Sequence, residues 1–531
     1  MKIQTYSCAA ALLAAVLPGC GRDEVWDAVP TPVVRHLNDA AIVVDSTANR
    51  VLVLGVDEKL ALVPTSLPIG HGYVASGTTP DGTGLLVLSR GDVPRRKAPN
   101  DQLPRLSLVR GGDKPTVAQT FALSDPLSGL SIDPEGRYAI VFPSASDTAF
   151  VANPNELSIV DLDSAASSTN PLPTTLRSFG GRPESFFFTP NLDIAGQSRR
   201  LLCVLTDRDI GIIDLSVPDK GDITVPLSST GSRPQPAQVA VTNGAPGADD
   251  ARLAVRLDGD PNVILVDLPP VPNGEAATSA HDFKPTPNIV FAGGMPSDIA
   301  FVTTDGGLRL AALVPANQSL GLIDPATGIS TSVALGARFE TMSLVTDIVG
   351  PTQSGADVAL MWSSKSPEIA FVALGSTVGK PYKSVERLTL ETPIASVLDV
   401  PAPNQQLKIL VGSQGSTFYV LDLVSRTASP LLARSANGPT QLSLSADGRG
   451  AWVFSRSDND VAWLDLGTLH PKNIQLSSTV FDVVDIARRG GGRALVALRD
   501  TGTLGLTVID GDNPSVETAV DYPSVLLGEL R

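Results

Sequence analysis

Residues 442–466 read LSLSADGRGAWVFSRSDNDVAWLDL. Three short apolar runs, LSL, AWVF and VAWLDL, are separated by ADGRG and SRSDND. LSLS alternates apolar and polar positions, as a half-buried strand does, because successive side chains leave a strand on opposite faces. Asp447-Gly448 marks a tight hairpin, since glycine tolerates the positive φ that such a turn needs. AWVF supplies bulky residues suited to a pleated surface. SRSDN stops the strand, because Ser, Asp and Asn side chains bond their own backbone. VAWLDL predicts a third strand ending at Asp465, and NIQLSS, residues 473–478, predicts a fourth. A sheet of a few short strands cannot bury both its faces alone, so it needs neighbours.

The neighbours are copies. The third strand recurs as an apolar run, usually closed by aspartate: VLVLGVD ending at Asp57, LSIVD at Asp161, IGIID at Asp214, VILVD at Asp267 and LGLID at Asp324. YVLD at Asp422, AWLD at Asp465 and LTVID at Asp510 continue the series. Two runs lack the aspartate, RLSLVRG around Leu108 and EIAFVALG around Phe371, which makes ten copies. Successive copies lie roughly 43 to 57 residues apart, a spacing of propeller blades rather than of helical repeats. Several open on Gly and Pro, as in GGRPES, GSRPQPAQ, GGMPSD and NGPTQL.

Residues 293–335, GGMPSDIAFVTTDGGLRLAALVPANQSLGLIDPATGISTSVAL, resemble the YVTN-type β-propeller repeat. That repeat has a Gly-Pro start, an Asp-Gly turn, an apolar strand and a run ending Ile-Asp-x-x-Thr-Gly. Residues 437–466 follow it closely, and the rest of the chain follows it diffusely. The resemblance implies an all-β fold, a β-propeller of about ten four-stranded blades in one ring, with two smaller propellers in tandem as the alternative. It implies little about function, because propellers host binding, scaffolding and catalysis alike. At a strand end, the repeated aspartate is expected to cap backbone N–H groups of the following turn. A ring of acidic ligands would need these side chains to converge, whereas equivalent positions in different blades lie far apart.

The two ends suggest how the ring closes. AAIVVD, NRVLVLGVD and LALVPTSLP read as second, third and fourth strands of the first copy, with no first strand before them. The last copy has four candidates, FDVVDIARRG, RALVALRD, LGLTVID and SVETAV, and leaves YPSVLLGEL, residues 522–530, over. Pairing of this C-terminal strand into the first blade is the expected closure, since it would hide two sheet edges.

The chain has 531 residues, 40 Lys plus Arg against 55 Asp plus Glu, and a formal charge of −15, an acidic balance that argues against nucleic acid as a partner. At the N-terminus MKIQTYS is followed by CAAALLAAVL, too short to span a bilayer and readable as the apolar core of a signal peptide. LPGC at residues 17–20 is similar to a bacterial lipobox, although Pro18 departs from the usual small residue. That resemblance implies lipid attachment at Cys20 and, with Gly21 rather than Asp after it, placement at the outer membrane. The expected organisation is a signal peptide at 1–19, a lipidated tether at 20–38 and propeller repeats at 39–531. Only Cys203, in the strand RRLLCVL, then remains as a thiol, and it reads as a buried small apolar side chain.

Chemistry is sparse. No CxxCH, HExxH, Gly-x-Ser-x-Gly or phosphate-binding loop occurs, and the four histidines, His36, His71, His281 and His470, are scattered. No catalytic residue, metal site or cofactor is expected. The loops between second and third strands, and those between blades, share one face. That face would carry Arg182, Arg233, Arg434 and Arg456 beside Asp207, Asp209, Asp258 and Asp260. The insertion RGDVPRRKAPNDQLP at residues 90–104 places Arg95, Arg96 and Lys97 together, a candidate partner-docking loop in an acidic protein. The function expected is a lipid-anchored envelope protein that binds or scaffolds an unidentified envelope protein or surface ligand and meets the membrane through its anchor alone. The alternative is an enzyme of lactonase-like or quinone-dependent type, which would need a convergent His, Glu or metal cluster at the ring axis.

Overall fold

The computed structural model describes residues 33–92, 100–144, 151–177, 181–227, 235–243, 250–271, 281–346, 357–375, 381–414, 417–431, 440–456, 458–499 and 505–523. Ten four-stranded antiparallel sheets follow one another along the chain, each built from consecutive strands apart from one inserted hairpin. The ten inner strands are Val33–His36, Tyr73–Thr78, Gly129–Ile132, Ser185–Phe188, Gln235–Thr242, Asp298–Thr304, Thr341–Thr346, Ile394–Asp399, Thr440–Leu444 and Val480–Ala487. The inserted hairpin, Leu192–Ile194 with Gln197–Arg199, lies between the first and second strands of blade four.

The quoted stretch is blade nine. Thr440–Leu444 pairs with Gly450–Ser455, that strand with Asp460–Asp465, and Pro471–Gln475 completes the sheet. Gly448 adopts φ +66°, the left-handed conformation that its Asp-Gly turn requires. The Ser445 hydroxyl accepts from Gly450 N–H at 3.0 Å and donates to Gly450 C=O at 2.9 Å, so one side chain staples the hairpin. Thr79 and Gly84 repeat this staple in blade two.

All ten expected third strands are present, and their terminal aspartates act locally. Asp465 accepts from Gly467 and Thr468 N–H at 3.0 and 2.8 Å, and Asp324 from Ala326 and Thr327 N–H at 2.9 and 3.1 Å. Asp422 does the same for Val424 and Ser425. These bonds, with Arg309 nearby, hold the Asp324 carboxyl below its usual range against the opposing effect of burial.

The core is divided among the seams. Ten apolar clusters each join one blade to the next, and one of them joins blade ten to blade one. In that closing cluster Ala41, Val43, Leu52 and Leu54 of blade one pack on Val484, Ile486, Val496 and Val508 of blade ten. A seam after every blade, the last included, makes one ring of ten rather than two propellers in tandem.

Closure differs from the expectation in its means. Val33–His36 pairs with Ala41–Asp45 and takes the first-strand place of blade one, so the propeller begins inside the stretch read as tether. VVRH alternates as a blade strand must: Val33 packs into the seam with blade two and Val34 into the seam with blade ten. Among the described residues no N-terminal strand pairs with a C-terminal one. The fourth strand of blade ten is also not SVETAV. Val516–Thr518 is a 3-10 turn capped by Ser515, and Val520–Tyr522 is the strand. Of the tail thought to be surplus, Tyr522 ends this strand, and residues 524–531 lie outside the described residues. The seam is stitched by Ala487 N–H to Asn38 C=O at 2.6 Å and Arg489 N–H to Val56 C=O at 2.9 Å. The Tyr522 hydroxyl accepts from Leu62 N–H at 3.1 Å and donates to Leu60 C=O at 3.2 Å.

Candidate binding cleft on the inner strands

Three consecutive inner strands, of blades nine, ten and one, surround a cleft of about 210 Å³. Gln441 and Ser443 come from blade nine, Asp482 from blade ten, and Arg35 and His36 from blade one. Val34, Val484 and Phe454 give its apolar backing. Val34 lines the cleft and packs into the seam with blade ten, whereas Arg35, the next residue along the strand, reaches across to blade two, as strand alternation requires. Arg35 is oriented by its own backbone neighbours, with Nη1 donating to Val34 C=O at 2.9 Å and Nε to Ser76 C=O of blade two at 3.3 Å.

Asp482 sits at the centre of the charge. Burial pushes its carboxyl above the usual carboxylate range, while Val483 N–H and then the charges of Arg456, His36 and Arg35 pull the other way. Arg456 reaches this group from the loop between the second and third strands of blade nine. Its guanidinium lies 4.7 Å from the Phe481 ring centroid, and its Nε donates to Phe481 C=O at 3.0 Å. The charges of two arginines thus act on one carboxylate while their hydrogen bonds go to the Val34, Ser76 and Phe481 carbonyls, a positive field suited to attracting a further acidic group.

Most of the residues singled out by sequence lie elsewhere. Cys20, Arg95, Arg96, Lys97, Arg233 and Arg434 are outside the described residues. Arg182 is exposed before the inner strand of blade four, away from the cleft. Arg456 does not line the cleft, but its charge acts on Asp482. The acidic partners are spent locally. Asp209 is buried and accepts from the Thr206 hydroxyl, Asp260 caps Asn262 N–H at 2.8 Å, and Asp207 and Asp258 face Arg208 and Arg256 at 3.8 and 3.9 Å.

The root of the insertion is firmly tied. Asp92 accepts from Gln102 N–H at 2.7 Å and meets His71 Nδ1 at 3.0 Å, while Gln102 Nε2 meets His71 Nε2 at 2.9 Å. The Gln102 bond, then the His71 bond, hold the Asp92 carboxyl below its usual range. The Arg90-Gly91-Asp92 tripeptide therefore uses its aspartate to close its own loop.

The histidines do not come together. His36 is in the cleft, His71 at the insertion, His470 bonded to Thr468 C=O and His281 near Phe283. Among the described residues no group of three or more His, Cys, Asp or Glu is placed to hold a metal ion. Cys203 is fully buried, and burial pushes its thiol up to about 12.

Arg35 and Asp482 escaped the sequence reading. The signal was present, since every other copy has four strands and the missing first strand lay just before the first recognised one.

No protein-family model matches the chain, and no curated protein matches it. Among solved structures it is similar to a dihydro-heme d1 dehydrogenase, NirN, in complex with DHE, at a TM-score of 0.38 and 14% identity over 84% of this chain and 78% of that one. It is similar to apo AztD from Citrobacter koseri at 0.36 and 12%, over 74% of this chain and 95% of that one. A virginiamycin B lyase from Staphylococcus aureus gives 0.31 and 8%, over 59% and 96%. These likenesses concern the propeller fold alone.

Proposed function

We propose that this protein is a cell-envelope propeller, lipid-anchored through Cys20 at the outer membrane, that acts as a binding or scaffold protein and receives an acidic group of its partner in the three-blade cleft. The observation that carries this reading is a cleft lined by Arg35 and His36 of blade one and Asp482 of blade ten, with the charge of Arg456 acting on the same carboxylate, within a chain of formal charge −15. A local surplus of positive charge on an acidic protein is a selective feature, because the rest of the surface repels the same ligand. Arg456 belongs to a loop on the face that also bears the insertion with Arg95, Arg96 and Lys97, so those residues would extend the basic approach.

The test is capture from envelope extract by wild-type protein, by an Arg35→Gln/Arg456→Gln variant and by a variant with Glu at positions 95, 96 and 97. Wild type should retain a partner that is released as salt rises, since exposed charges are screened within about 8 Å at physiological ionic strength. The double Gln variant should lose tenfold or more in affinity. The triple Glu variant should slow association more than it speeds dissociation. Equal capture by all three proteins would refute the reading.

A further inference from the structure

The loop that carries Arg456 sends its side chains two ways. Arg456 turns to Phe481 of blade ten. Asp458 and Asp460 line the opposite seam, between blades nine and eight. That seam is clamped at one end, where Asn404 Nδ2 donates to Gly448 C=O at 2.9 Å and Gly448 lies against the Pro401 and Ala402 carbonyls. Towards the Asp458 end it opens into a cavity of about 250 Å³.

The cavity is a local departure from the repeat. In the third strands of the other nine blades every residue between the strand ends is buried. In blade nine the middle pair, Ala462 and Trp463, is only half-buried. Phe418 and Leu431 of blade eight stand across from Ala462, Leu464 and Leu469, so the walls are apolar.

A second, independent observation concerns Thr440. It lines the same cavity, its residue is 7% exposed, and its Oγ1 is buried with no hydrogen-bond partner among the described residues. Buried hydroxyls are normally satisfied, so an orphan in the wall of a cavity is a bond that a ligand completes by a small shift of that wall. Asp458 and Asp460 line the same cavity, and no ion pair of either is seen among the described residues.

We propose that the seam between blades eight and nine binds a small amphiphile with a protonated amine head. Its apolar chain lies between Phe418, Leu431, Ala462 and Leu464. Its ammonium meets Asp458 and Asp460 and donates one N–H to Thr440 Oγ1, which suits a group with three donors and no acceptor. The volume, just below that of drug-sized pockets, suits a ligand of modest size.

The experiment uses the full chain with octylammonium and octanoate as probes, both below micelle formation, followed by calorimetry and thermal shift. Octylammonium should bind one per chain and raise Tm; octanoate, of equal length and opposite charge, should not. Asp458→Asn with Asp460→Asn should weaken octylammonium at least tenfold, and Thr440→Val several-fold. Ala462→Phe, which fills the cavity, should abolish binding without lowering Tm. If that variant fails to fold, the Asn pair at the cavity mouth decides. Equal binding of the two probes, no binding of octylammonium, or full affinity in the Asn pair would each overturn the proposal. None of these variants replaces a residue lining the inner-strand cleft, and because Phe454 borders both sites, unchanged capture of the envelope partner by the Asn pair is the control that lets the two fail or stand separately.

Discussion

Asp485 shows what the ring does to a single carboxyl. Its side chain is 3% exposed and meets Arg493 Nε at 3.0 Å. Burial pushes it up to about 6, with Arg493 offsetting part of the effect. The folded chain then binds this proton more tightly than the unfolded chain, whose value is the ordinary 3.8. Its stability contribution is therefore full below the unfolded value and is lost as pH rises from about 4 through about 6, a change on the order of 3 kcal/mol. Asp485→Asn removes the titration. In urea unfolding between pH 4 and pH 8, wild-type stability minus that of the variant should fall up to about pH 6.5 and then level off. A difference that stays constant across the range would exclude this origin. At the same scale, the strand-end aspartates were legible because the reason for them is local, a carboxylate and two nearby N–H groups. Asp485 and Asp482 were not, because burial dominates both and part of what reaches them comes from blade nine, Ala446 and Asp447 at Asp485 and Arg456 at Asp482.

Elements were read well wherever the pattern repeats. The third strands stood out as unbroken apolar runs, since they are covered on both faces by neighbouring blades. Inner strands such as Val33–His36 carry polar residues towards the axis, and a short one resembles a tether. The tail was misread for a related reason: YPSVLLGEL is apolar enough to be a strand, yet the place it was assigned was already filled. What Tyr522 does supply is a hydroxyl that ties the outer strand of blade ten to Leu60 and Leu62 of blade one. Tyr522→Phe keeps the ring and loses both bonds, leaving a carbonyl and an N–H unpaired at the seam. A loss of about 1–2 kcal/mol is expected from chemical denaturation, with the secondary-structure spectrum unchanged. A variant as stable as wild type would mean that this bridge does not hold the closing seam.

At the scale of the whole molecule, closure rests on packing. The seam between blades ten and one is made of the same kind of apolar cluster as the other nine, each buried side chain contributing roughly 1.5–3 kcal/mol. Ring size was legible because copies can be counted; the manner of closure was not, because it depends on which short segment reaches the first edge. The proposed anchor is testable at this scale too. Wild type should partition with membranes and carry an acylated Cys20, and Cys20→Ala should be released or left unprocessed. An unacylated mature N-terminus at another residue would remove the anchor from the account. The position of Val33 has a further consequence. It starts an innermost strand, on the face shared by the loops between second and third strands. The link from Cys20 to Val33 spans at most about 45 Å even fully extended. An anchored ring would therefore lie with that face towards the bilayer, like a lid held by a cord through its middle. The aspartate-capped turns would look away into the aqueous space, and any partner of the basic loops would have to enter from the lipid side.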